Sequence, residues 1–184
     1  MRVAFAAAMV LLFAGASAAA ASEVVVAFNG MSRACSAAAK AGRGDDGALQ
    51  ACERAVVESV PDLRERASNF VNRGVVRTIR GDHAGAETDF NAAMRIQPDL
   101  AEAYLNRGAL RVRQSRFQEA MELIDRGLGL GPEEPARGYF NRGVARQSLG
   151  DFKGAYQDYT RASELAPTWA WPKQALSDFQ VARR

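Results

Sequence analysis

Phe70-Val71-Asn72-Arg73-Gly74 is written twice more in this chain, as Tyr104-Leu105-Asn106-Arg107-Gly108 and as Tyr139-Phe140-Asn141-Arg142-Gly143. The three glycines lie 34 and 35 residues apart, and self-similarity at such a period is the mark of a stacked helical repeat. The rest of each unit keeps step. An alanine stands twelve residues after the glycine (Ala86, Ala120, Ala155), a bulky apolar residue sixteen after it (Phe90, Ile124, Tyr159), and a proline closes the unit (Pro98, Pro132, Pro167). Helical spacing and turn residues predict helices from Pro61 to Arg80 and Ala84 to Ile96, then Leu100 to Gln114 and Phe117 to Leu128, then Glu134 to Leu149 and Phe152 to Leu165.

Taken together, these aromatic, Asn-Arg-Gly, alanine and proline positions resemble the tetratricopeptide repeat, a helix-turn-helix unit whose copies stack into a curved solenoid. The resemblance covers more than half of the chain. It implies an all-α fold, a right-handed α-solenoid with three repeats in residues 61–167, at about 67–100, 101–134 and 135–169. It also implies that the first helix of each unit lines a concave groove. Carried over residue by residue, the groove consists of Val71, Asn72 and Val75, of Leu105, Asn106 and Ala109, and of Arg137, Phe140, Asn141 and Val144, with Ser68 and Glu102 one turn earlier and Ile79, Arg113 and Ser148 one turn later. An amide both donates and accepts, so Asn72, Asn106 and Asn141 suit the backbone of a bound peptide while Leu105 and Phe140 meet its side chains. The competing role for the asparagines is to bond neighbouring helices. The aromatics four residues before each glycine are expected to pack over it. Arg73, Arg107 and Arg142, with Arg77, Arg111 and Arg146 one turn on, form two columns. They suit either an anion stripe or pairing with acids such as Asp89 and Asp158; the middle unit has Leu123 at that place, so its pairing must differ.

Ahead of the repeats, Arg2 followed by the apolar run Val3 to Phe13 and a small-residue tract to Ser22 reads as a cleavable signal peptide over residues 1–22. Its loss lowers the formal net charge from +3 to +2, since Arg2 is the one charge it carries. So weak a field, with acids interleaved among bases, argues against nucleic-acid binding. No other stretch is apolar enough to span a bilayer, so no stable membrane insertion is expected once the signal is removed. Residues 23–60 read as a degenerate first repeat, with Ala48, Cys52 and Ala55 falling where Ala86, Phe90 and Ala93 do, and with Asp46 as helix cap. In that alignment Cys35 takes the place of Arg73 and Cys52 that of Phe90, positions that face each other in a repeat of this kind. The resemblance thus implies a Cys35–Cys52 disulfide, which an oxidising compartment would permit.

After Pro167 an amphipathic helix from Pro172 to about Ala182 suits the end of a solenoid, whose last face needs covering; residues 168–184 are the expected cap, with Trp169 or Trp171 packed beneath it. A ligand-stacking role is the alternative for the two tryptophans. Catalytic patterns are missing: His83 is the one histidine, and no phosphate loop, zinc helix or nucleophile elbow occurs. The composite expectation is a non-enzymatic scaffold or adaptor, without cofactor or metal, that binds a peptide or protein segment in the periplasm of a Gram-negative bacterium or after secretion. The alternatives are a holdase for exported chains and a structural envelope component that binds a polymer or itself.

Overall fold

The computed structural model describes residues 30–59 and 62–181, which form nine helices and no strand among the described residues. The expected signal peptide at 1–22, the residues from there to the first helix, and Pro61 lie outside the described residues. Helix α1 covers residues 30–40, followed by α2 (Asp46–Glu58), α3 (Leu63–Arg80), α4 (His83–Ile96), α5 (Ala101–Arg113), α6 (Phe117–Gly129), α7 (Ala136–Ser148), α8 (Phe152–Leu165) and α9 (Ala170–Val181). Helices α3 and α4, α5 and α6, and α7 and α8 pair as antiparallel hairpins, and α3, α5 and α7 also touch in succession.

Local chemistry explains where these helices start and stop. Carboxylates cap four N-termini: Asp45 accepts from the Ala48 amide, Asp62 from Arg64 and Glu65, Asp82 from Gly85, and Asp151 from Gly154. The cap of α2 is therefore Asp45. Asp46, the expected cap, is the first helical residue instead, and its carboxylate sits 2.9 Å from Arg80. Gly81 and Gly150 end α3 and the α7 segment with φ of 85° and 87°, left-handed values that glycine adopts without steric cost. At the same step of the middle unit Ser115 takes φ 57°, the one non-glycine residue with positive φ among the described residues.

Each repeat glycine is there for close approach. A Cβ on Gly74 would fall 2.6 Å from the Phe90 ring, one on Gly108 2.5 Å from Ile124, and one on Gly143 2.7 Å from Tyr159. The residue sixteen positions on, reaching from the second helix, fills the glycine's missing side chain. This corrects the expectation that the preceding aromatic packs there. Phe70, Tyr104 and Tyr139 sit half-buried on the flank, with the guanidinium groups of Arg73, Arg126 and Arg142 at 5.3, 5.9 and 5.3 Å from their ring centres.

Both ends of the stack are closed. At the N-terminal end Cys35 and Cys52 are bonded, with Cα atoms 4.6 Å apart, and both are fully buried against Ala38, Ala48, Ala55 and Val76. Asn69 is buried beside them and donates to the Ser32 hydroxyl (2.9 Å) and the Ala55 carbonyl (3.3 Å), tying α3 to both α1 and α2. At the other end α9 lays Phe179 against Phe152, Tyr156 and Tyr159, and Trp169, in the turn just before α9, lies against Phe140 at 5.0 Å. Helix α9 opens at Ala170, two residues before Pro172, which still falls in the first turn where no amide donor is needed. Trp169 is the covering tryptophan; Trp171 is 66% exposed.

Candidate functional site

The faces of three first helices, the turns before α5 and α7 and one wall from α1 enclose an open cavity of about 630 Å³. From α3 come Arg64, Ser68, Val71, Asn72 and Val75, which recur at steps of three and four and so form one stripe of the helix. Helix α5 adds Ala101, Glu102 and Asn106, and α7 adds Arg137. Ser36, Ala39 and Lys40 of α1 form one wall, while the turns before α5 and α7 supply Asp99, Leu100, Leu130, Gly131, Glu133 and Glu134.

Seven of the fifteen residues expected in the groove, Ser68, Val71, Asn72, Val75, Glu102, Asn106 and Arg137, are brought together around this cavity. The other eight are not. Leu105 turns into the seam between units, where a Cβ on Gly127 or Gly138 would lie 2.7 or 3.0 Å from its methyl group. Phe140 packs between Tyr159 (5.5 Å) and the cap's Trp169, so the cap closes over the place where a partner was expected to lie. Ala109, Asn141 and Val144 are half-buried and stand off the cavity, as do the exposed Ile79, Arg113 and Ser148.

The amides differ in what they have left to offer. Asn106 donates one N–H to the Glu102 carbonyl on its own helix (2.8 Å), which leaves its other N–H and its oxygen for a ligand. The Asn72 side chain has no hydrogen-bond partner among the described residues. With Val71 and Val75 beside it, this wall presents a polar row on an apolar floor, the pattern that holds a peptide by backbone and side chain together.

The arginine columns are spent on the fold. Arg73 grips Asp89 through two hydrogen bonds (3.0 and 2.6 Å) and Arg77 adds a third at 2.9 Å; Arg142 and Arg146 hold Asp158 in the same way, at 2.9, 2.8 and 3.0 Å. The hydrogen bond to Asp158, with help from Asp125, holds the Arg142 guanidinium still more firmly protonated than usual. Where Leu123 replaces the aspartate, Arg107 and Arg111 reach back to Glu87 on α4, both at 2.7 Å. Burial pushes the Glu87 carboxyl up, but the hydrogen bonds and charges of the two arginines outweigh it and hold the group below the usual carboxylate range. No cluster of three metal-binding side chains occurs among the described residues, and His83 is exposed at the start of α4. No described helix is long and apolar enough to cross a membrane.

Comparison with known proteins gives the same architecture. Residues 136–169 match the family model of the tetratricopeptide repeat. Tetratricopeptide repeat protein 36 of Bos taurus is 32% identical over 109 residues, 58% of this chain and 58% of that protein. The chain spans between 10% and 58% of the length of the first curated relatives it matches. Among solved structures, MamA from residue 41 to its end, from Desulfovibrio magneticus RS-1, superposes with a TM-score of 0.63 at 18% identity, over 87% of this chain and 85% of that one. The first repeat domain of Spaghetti (RPAP3), bound to the HSP90 peptide SRMEEVD, gives 0.59 at 23% identity, over 65% and 94%.

Proposed function

Residues 136–169 are a tetratricopeptide repeat and the described chain has the fold of domains built from such repeats; on that premise we propose that the protein is a non-enzymatic scaffold or adaptor that holds a peptide or protein segment in its concave groove. One observation carries this reading: the Asn72 and Asn106 amides, with hydrogen-bonding capacity to spare, stand over the apolar Val71 and Val75 at the edge of a cavity of about 630 Å³. A neighbour of the same fold holds a peptide, which supports a peptide as the kind of ligand. We assign this chain's work to the periplasm or to the outside of the cell. The signal-like order of residues 1–22 and the bond between Cys35 and Cys52 support export to an oxidising compartment.

The test is a photo-crosslinking probe set at Asn106 in living cells, with a control probe at Gln118, exposed on α6. A discrete product from the groove probe and none from the control is the expected result. Equal products from both positions would contradict groove binding, and a broad smear from Asn106 alone would turn the reading toward a holdase.

A further inference from the structure

The charges around the groove are sorted by wall. Lys40 at the end of α1 and Arg64 in the first turn of α3 stand on one side; Asp99, Glu102, Glu133 and Glu134 stand on the other, in and beside the turns that lead into α5 and α7. None of these six side chains makes an ion pair or hydrogen bond among the described residues. All six column arginines do. Charge is thus neutralised where it serves the fold and left uncompensated where it faces the cavity. The turn before α7 (residues 130–135) is two residues longer than the turn before α5 (residues 97–100), and it carries two glutamates where the shorter turn has a single aspartate, Asp99. Arg137, the cation nearest this rim, lies over the Trp169 ring at 5.9 Å.

Four carboxylates on one rim of a concave, partly apolar surface focus a negative potential, because the low-dielectric wall screens them less than open water would. We propose that the groove's partner is a basic segment: an apolar stretch carrying lysine or arginine, whose cationic side chains face Asp99, Glu102, Glu133 and Glu134. This rests on the groove reading above and adds the sign of the partner's charge. An acidic segment placed there would meet like charges at the rim and be disfavoured.

The experiment uses the full, oxidised chain and three fluorescein-labelled peptides of equal length with the same leucines and valines, bearing two lysines, two glutamates or two serines. Anisotropy titration is expected to give about tenfold tighter binding of the lysine peptide than of the glutamate peptide. Added salt shrinks the ratio, and Glu133→Gln with Glu134→Gln, both at exposed positions, brings it close to one. Equal affinities, a preference for glutamate, or a lysine preference untouched by the double variant would overturn the charge assignment while leaving the groove reading in place. Absence of binding by all three peptides would overturn both.

Discussion

Leu105 and Asn106 are adjacent in sequence and serve different surfaces, because one step along a helix turns the side chain by more than a quarter of the circumference. Leu105 fills the space that Gly127 and Gly138 leave open between units, whereas Asn106 faces the cavity. Leu105→Ala should therefore cost about 1–3 kcal/mol of stability, the lower part of the range for apolar truncation because the site is half-buried. Asn106→Ala should leave the denaturant midpoint nearly unchanged; urea unfolding of the two variants separates seam from groove. Ser115 offers a second test at this scale. It holds φ 57° where the flanking units place Gly81 and Gly150, so Ser115→Gly should raise stability by about 0.5–1 kcal/mol, read as a higher melting temperature. A fall instead would mean that the serine side chain contributes more than its backbone conformation costs.

Between helices, the arginine-carboxylate clusters fix each hairpin's geometry. Asp89 and Asp158 are buried yet each accepts three hydrogen bonds from two arginines, so removing either acid would leave cations without their partner. Glu87 does a different job, joining α4 to the next unit through Arg107 and Arg111. Its folded carboxyl is held below its usual range, so its contribution is present above the unfolded value and is lost as pH falls through the folded one. Glu87→Gln should lower stability at neutral pH and flatten the acid limb of a stability-pH profile; an identical acid limb in the variant would remove Glu87 from that role. The disulfide acts at the same scale. It closes a separation of 17 residues, so its reduction should cost roughly 3 kcal/mol and release α1, which carries one wall of the groove. Circular dichroism under reducing conditions is expected to show helix loss at lower temperature than in the oxidised protein.

Across the whole molecule, the fold was legible because one pattern is spelled three times: the period set the unit and the turn residues set the hairpin, whereas the side chain that fills each glycine was not legible, since Phe90, Ile124 and Tyr159 reach it from the second helix. The site was legible in part. The α3 face was reached through the family resemblance, which places Val71, Asn72 and Val75 on the groove, and the helix does set the three on one stripe beside the cavity. The burial of Phe140 and Leu105 could not be read, because it depends on Trp169, Gly127 and Gly138, which reach them only through tertiary packing. Asn69 was missed although a signal existed: the other units hold the small residues Ala103 and Gly138 at its step, and the larger amide reaches into the degenerate first unit. The acidic rim was missed for another reason, since Asp99, Glu133 and Glu134 sit in turns and a helix-face reading never places them. The measurement that bears most directly on groove binding takes the segment captured by the Asn106 probe as a synthetic peptide and titrates it into the wild-type chain and into Asn72→Ala with Asn106→Ala. Affinity should fall by about tenfold or more with the melting temperature unchanged, as the loss of two ligand hydrogen bonds requires. Equal affinity for both proteins would contradict the concave groove as the binding site.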